Sequence, residues 1–83
     1  MKLLYFAWVR EKLGRGEETL DLPAEVRTAR QLAAYLAARS PEYARVFGMP
    51  SSLNLAIDQE HASWDQELDA AREVAFFPPV TGG

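Results

Sequence analysis

Thr28-Ala29-Arg30-Gln31-Leu32-Ala33-Ala34-Tyr35-Leu36-Ala37 is the stretch whose periodicity sets the architecture of this chain. Thr28 followed three residues later by Gln31 is a capping-box pattern, in which the two side chains satisfy backbone N–H groups left free at a helix start. Ala29, Leu32, Ala33, Leu36 and Ala37 then fall at i, i+3, i+4, i+7 and i+8, one apolar stripe, with Arg30, Gln31 and Arg39 off it. The alanines allow close approach to whatever the helix packs on. The helix stops near Ser40-Pro41. Ser40 is placed to cap a short second helix beginning at Pro41, with Tyr43, Val46 and Phe47 on its inner side and Gly48 at its end.

Outward from this helix the periodicity changes to two. On the N-terminal side, Lys2-Leu3-Leu4-Tyr5-Phe6-Ala7 is short, apolar and aromatic and reads as a strand. Trp8 to Leu13 form a turn or two of helix closed by Gly14. Glu17 to Leu22, with Leu20 and Leu22 in period two before Pro23, form a second strand that pairs with the first as a hairpin. On the C-terminal side, Met49-Pro50-Ser51-Ser52 is a loop, and Leu53, Leu55 and Ile57 alternate with polar or small residues as a half-buried strand. Asp58-Gln59-Glu60-His61 reads as a turn, which makes His61 a solvated turn residue rather than a ligand or base. Ala62-Ser63-Trp64 return as a short partner, with Trp64 packing on the hairpin. Leu68 plugs the core edge, and Glu73-Val74-Ala75-Phe76-Phe77 is the last strand. The order β-β-α-β-β-β with one long helix leaves one sheet face without a helical cover. The fold class is therefore α+β: a β-grasp, or ubiquitin-like, roll with a mixed four- or five-stranded sheet and one long helix packed on one face.

Composition narrows the chemistry. Eighty-three residues make one domain, 48% hydrophobic and 25% charged, in the range of ordinary globular proteins. The chain has no cysteine and one histidine, which excludes disulfides, thiol nucleophiles and thiolate metal sites, so no metal site is expected. A net charge of -3 without a Lys/Arg cluster gives neither a nucleic-acid nor an anionic-membrane footprint, and the partner surface is expected to be basic. No apolar run is long enough to cross a bilayer, and the expected location is cytoplasmic. No convergent set of acid, base and nucleophile marks the chain as an enzyme acting alone.

The chain closes on Phe77-Pro78-Pro79-Val80-Thr81-Gly82-Gly83. Proline fixes φ and offers no ladder donor, so Pro78-Pro79 ends the last strand and sends the backbone outward. Glycine has no Cβ, so Gly82-Gly83 leaves the terminal carboxylate unshielded. The division is a domain over 1–77 and an extended mobile tail over 78–83. Taken alone, such an end is also what a frayed terminus looks like.

Two stretches carry a family resemblance that decides between those readings. Leu4-Tyr5-Phe6-Ala7-Trp8-Val9-Arg10-Glu11, with its Phe-Ala-x-Val-Arg-Glu, resembles the start of molybdopterin synthase small subunits. Glu73-Val74-Ala75-Phe76-Phe77-Pro78-Pro79-Val80-Thr81-Gly82-Gly83 is similar to their end, and the element order agrees between them. Gly-Gly alone would be shared with thiamine-pathway sulfur carriers and ubiquitin-like modifiers. The turn before the last strand departs from the family's frequent Asp-Gly-Asp: it is Ala70-Ala71-Arg72, which puts alanine where a glycine would supply φ > 0.

The resemblance implies a sulfur carrier for molybdenum cofactor synthesis. An adenylating enzyme related to ubiquitin activators would use ATP to join AMP to the Gly83 carboxylate, and a persulfide donor would convert it to a thiocarboxylate. A large subunit, in a heterotetramer, would then receive the sulfur and hold the catalytic residues. No cofactor is expected to be bound tightly by the chain itself. Chemistry agrees: a carboxylate is a poor electrophile until adenylated, and a chain without cysteine has no thiol to bear the sulfur. Pro78, Pro79, Val80, Thr81 and Gly82 would thread the partner, over at most roughly 20 Å. Docking falls to Phe6, Arg10 and Phe77. If Val74 and Phe76 face the helix, Phe77 lies on the open face beside the tail, where an aromatic anchor belongs. Arg10 either pairs with acidic groups of the activating enzyme or is a solvated helix residue. Sulfur carriage for thiamine or tRNA thiolation, and a ubiquitin-like interaction module or protein tag, are the alternatives.

Overall fold

The structure, a computed structural model, describes residues 1–79. In chain order the elements are β1 (Lys2–Tyr5), α1 (Trp8–Leu13), β2 (Glu17–Thr19), α2 (Ala29–Ala37), α3 (Pro41–Phe47), a 3-10 turn (Pro50–Ser52), β3 (Asn54–Ile57), β4 (Glu60–Ala62) and β5 (Glu73–Phe77). The five strands form one mixed sheet in the order β2-β1-β5-β3-β4, with β1 and β5 parallel and the other pairs antiparallel. The first and last strands thus lie side by side at the centre, and α2 and α3 cover one face. This is the β-grasp roll expected from the alternation of periods, with five strands rather than four.

Local chemistry explains most boundaries. The Thr28 side chain accepts from the Gln31 N–H while Gln31 Oε1 accepts from the Thr28 N–H, so the capping box is complete. The next backbone donors of α2 are taken by the loop ahead of β5: Ala29 N–H donates to Gln66 O and Arg30 N–H to Trp64 O. Ser40 caps α3 by accepting from Tyr43 N–H, and Gly14 closes α1 at φ 74°. Between β3 and β4 the turn sits on Asp58 and Gln59, both at positive φ, so His61 lies on a strand and not in the turn. Strand β2 is shorter than its sequence suggested, but the pairing continues through Leu20 N–H to Met1 O. The turn ahead of β5 differs from expectation: the positive φ falls on Asp69, at 35°, and none of Ala70, Ala71 and Arg72 has it. Aspartate tolerates that region better than alanine because its short polar side chain bonds locally.

The core lies between α2, α3 and the inner face of the sheet. Leu3, Tyr5, Leu55, Val74 and Phe76 from the strands meet Leu32, Leu36, Val46 and Phe47 from the helices, and Leu68 closes its edge. Phe76 is its centre: Phe47 meets it edge-on at 4.9 Å, and Tyr5 and Trp64 stack on it at 6.1 Å each. At the margin, Glu18 is a clasp that the sequence did not disclose. Its side chain is only 7% exposed and accepts hydrogen bonds from the Tyr5 and Tyr43 hydroxyls, from Arg39 at 2.9 Å and from Arg15 at 3.3 Å. Edge strand β2 is thereby tied to the chain that links α2 to α3.

Candidate functional site: the open sheet face at the end of β5

Side chains alternate across a sheet, so burying Val74 and Phe76 sends Glu73, Ala75 and Phe77 to the opposite face. Val74 and Phe76 are fully buried and Phe77 is half-buried, as the docking assignment required. Register then fixes the neighbours. Leu4, Ala75, Ala56 and His61 stand side by side across β1, β5, β3 and β4. One step nearer the tail, Asn54 pairs with Phe77, and Phe6 follows Tyr5 out of β1 in the same register. Phe6 is 49% exposed, one of two large apolar side chains so open among the described residues. The face is a low apolar strip, with two phenylalanines at the end where the chain leaves the sheet.

Several bonds hold that end. Phe6 N–H donates to Phe76 O at 3.1 Å, which prolongs the β1–β5 ladder by one residue to the root of the tail. The His61 ring meets Phe77 edge-on at 6.0 Å. Pro78 is half-buried and Pro79 exposed. Arg10 is exposed on α1 and its side chain folds over Gly16, where a Cβ would lie 3.5 Å from its Nε. It has no carboxylate within salt-bridge distance among the described residues, whereas Arg15, Arg30 and Arg39 each have one. Lys2 and Glu17, 3.7 Å apart, mark the polar rim at the other end of the strip.

Phe6 and Phe77 are therefore brought together on one face, and Arg10 sits beyond them on α1. Val80, Thr81, Gly82 and Gly83 lie outside the described residues. Alternation along β5 put Ala75 with Phe77, but sequence reasoning did not place Leu4, Ala56 or His61 on this face. The period-two alternation carried the information for Leu4, since Leu4 and Phe6 share a parity. For His61 only the register across β3 supplied it. No helix among the described residues is long and apolar enough to cross a membrane.

Comparison with known proteins assigns the chain. The model of the ThiS family matches residues 3–83. The chain belongs to the ThiS family. It is 39% identical over 83 residues to the molybdopterin synthase sulfur carrier subunit of Escherichia coli (strain K12), covering all of this chain and 99% of that one. The protein of the same name from Dictyostelium discoideum is 36% identical, with 99% and 94% covered. Among solved structures, SAMP1 from Haloferax volcanii superposes with a TM-score of 0.73 at 28% identity, over 99% of this chain and 97% of that one. A putative molybdopterin converting factor, subunit 1, from Pyrococcus furiosus gives 0.69 at 28% identity, with 95% of each chain covered. The family thus shares the β-grasp roll, and its similarity to this chain runs through both stretches that carried the resemblance.

Proposed function

We propose that this chain is a sulfur-carrier small subunit of a molybdopterin synthase, working in the cytoplasm. The observation that carries the reading is the whole-length match, at up to 39% identity, to molybdopterin synthase sulfur carrier subunits in a chain that runs from β5 into Pro-Pro-Val-Thr-Gly-Gly. The Gly83 carboxylate is the reacting group. A ubiquitin-activator-like partner uses ATP to form the acyl adenylate, releasing pyrophosphate. The terminal sulfur of a persulfide then attacks the carbonyl and expels AMP. Cleavage of the resulting S–S bond by a thiol reductant leaves the thiocarboxylate. Without the adenylate the leaving group would be oxide, so activation is obligatory.

Docking and chemistry divide between the open face and the tail. The strip at Phe6 and Phe77 seats the domain on the large subunit, and Arg10 supplies a charge for an acidic partner group. Pro78, Pro79, Val80, Thr81 and Gly82 carry the carbon of Gly83 into the partner's site. Proline restricts the chain before binding, so less freedom is lost on threading. Glycine at the end leaves the carbonyl open to attack on both sides. The acid and base groups for sulfur delivery belong to the large subunit, which pairs with this chain in a heterotetramer.

The test is intact-mass spectrometry after incubation with ATP, the activating enzyme and a persulfide donor. A mass gain equal to sulfur replacing one oxygen, absent without ATP, is expected. Delivery of that sulfur to the pterin precursor by the complex with the large subunit then separates this role from thiolation of other acceptors. A chain that never gains sulfur under these conditions overturns the reading.

A further inference from the structure

Ala7 stands one residue beyond Phe6 at φ 53° and ψ -130°. Val9 N–H donates to Phe6 O at 3.1 Å, so residues 6 to 9 form a hydrogen-bonded four-residue turn with Ala7 at its first central position. Those angles are of the II′ type, which calls for glycine there because an L side chain crowds the backbone. Among the described residues, three others besides glycine have positive φ, Asp58, Gln59 and Asp69, and all are polar residues in turns at the far end of β3 and β5. Of these four described residues, Ala7 alone combines positive φ, an apolar side chain and a place beside the docking strip.

The position has a mechanical consequence. Phe6 is held on both sides of its peptide: its N–H binds Phe76 O, and its C=O accepts from Val9 N–H. The II′ path of that turn requires positive φ at Ala7, since turns with negative φ there can keep an i→i+3 bond but leave the strand in a different direction. If Ala7 relaxed to the extended or helical region, the chain between β1 and α1 would be redirected and the Phe6 ring would lose its place beside Phe77. We infer that Ala7 is a positioning residue for partner docking: its strained turn fixes the exposed Phe6 ring in the register of Phe77, at the root of the tail. Strain retained at such a place is a pointer to function, since a free choice of residue would remove it. The inference rests on the docking role given above to Phe6.

The experiment compares three replacements in the full chain. Ala7→Gly and a synthetic chain carrying D-alanine at position 7 both favour the observed angles, whereas Ala7→Val opposes them. Hydrogen exchange on the free domain reads the turn, and affinity for the molybdopterin synthase large subunit reads docking, with Phe6→Ala as reference. With Ala7→Val, the Phe6 and Val9 amides should lose protection selectively, and affinity should fall on the order of tenfold, as with Phe6→Ala. Glycine and D-alanine should keep both properties. The inference is overturned if Ala7→Val keeps wild-type affinity, if it loses affinity with those two amides still protected, or if D-alanine weakens docking, which would mean that the L-methyl group itself makes the contact. Should Ala7→Val not fold, the D-alanine chain decides. If the unmodified chain does not bind the large subunit, the sulfur-carrier reading and the docking role fail together, whereas wild-type binding with an indifferent Ala7→Val removes this inference alone.

Discussion

At the scale of single residues, Glu18 carries the sharpest electrostatics. Burial pushes its carboxyl toward a higher pKa, but hydrogen bonds from Tyr43, Tyr5 and Arg39, with the guanidinium charge, outweigh burial and hold it below the usual carboxylate range. A depressed folded value means that the unfolded chain binds the proton more readily. The stabilisation is then fully present above the ordinary carboxylate range, near pH 4, and is lost as pH falls through the folded value. Tyr5 and Tyr43 run the other way. Burial first, then their bonds to Glu18, raise both hydroxyls above the usual phenol range. Their contribution is fully present below about pH 10 and is lost as pH rises toward the folded values. Glu18→Gln is expected to cost about 2 kcal/mol at neutral pH and to flatten the acid limb of a stability–pH curve measured by urea unfolding. An unchanged acid limb would show that the clasp does not set it. Ala7→Gly should instead raise stability by about 1 kcal/mol, read in the same unfolding experiment, because glycine takes positive φ without strain.

The elements show how side chains far apart in sequence set one another's ends. Asp58 Oδ1 accepts from both Arg72 N–H at 2.9 Å and Glu73 N–H at 3.0 Å, and Asp58 N–H donates to Glu73 O. The β3–β4 turn therefore fixes where β5 begins, in a chain whose preceding turn lacks glycine. Asp58→Ala should cost about 1 kcal/mol, since both freed donors are near water, and should increase exchange at the Arg72 and Glu73 amides. Normal protection there would mean that β5 starts correctly without the aspartate. Thr28→Ala, which removes half of the capping box of α2, should cost about 1 kcal/mol by thermal or urea unfolding. The helix would persist, because its buried stripe of Ala29, Leu32, Ala33 and Leu36 remains.

For the whole molecule the consequence of the topology is one covered and one open sheet face, with β5 at the centre between β1 and β3 and Pro78 following directly from its end. Phe77→Asp should weaken association with the large subunit on the order of tenfold or more, while the free domain stays folded, because Phe77 is half-buried on the open face. Global unfolding of this variant would mean that Phe77 belongs to the core. Deleting Gly83 should abolish adenylation, because the carboxylate is displaced by one residue from the activating site. Mass spectrometry with ATP and the activator reads the outcome directly.

The sequence by itself determined α2 with its capping box, the caps at Ser40 and Gly14, the bounds of β5 and the closing Phe-Pro-Pro-Val-Thr-Gly-Gly, because each is a local pattern read within one or two turns or strands. It also determined the parity of Val74, Phe76 and Phe77, and through it the place of the half-buried Phe77 on the open face. Only the tertiary structure decided that β1 and β5 pair in parallel, that His61 stands beside Phe77 and that Glu18 gathers Tyr5, Tyr43, Arg39 and Arg15. Those facts depend on register and on residues up to about seventy positions apart, which no local period encodes. The positive φ at Ala7 was hidden because alanine gives no local signal of such a conformation. The bonds that frame it, Phe6 N–H to Phe76 O, Val9 N–H to Phe6 O and Glu11 N–H to Ala7 O, form only once the sheet and α1 are in place.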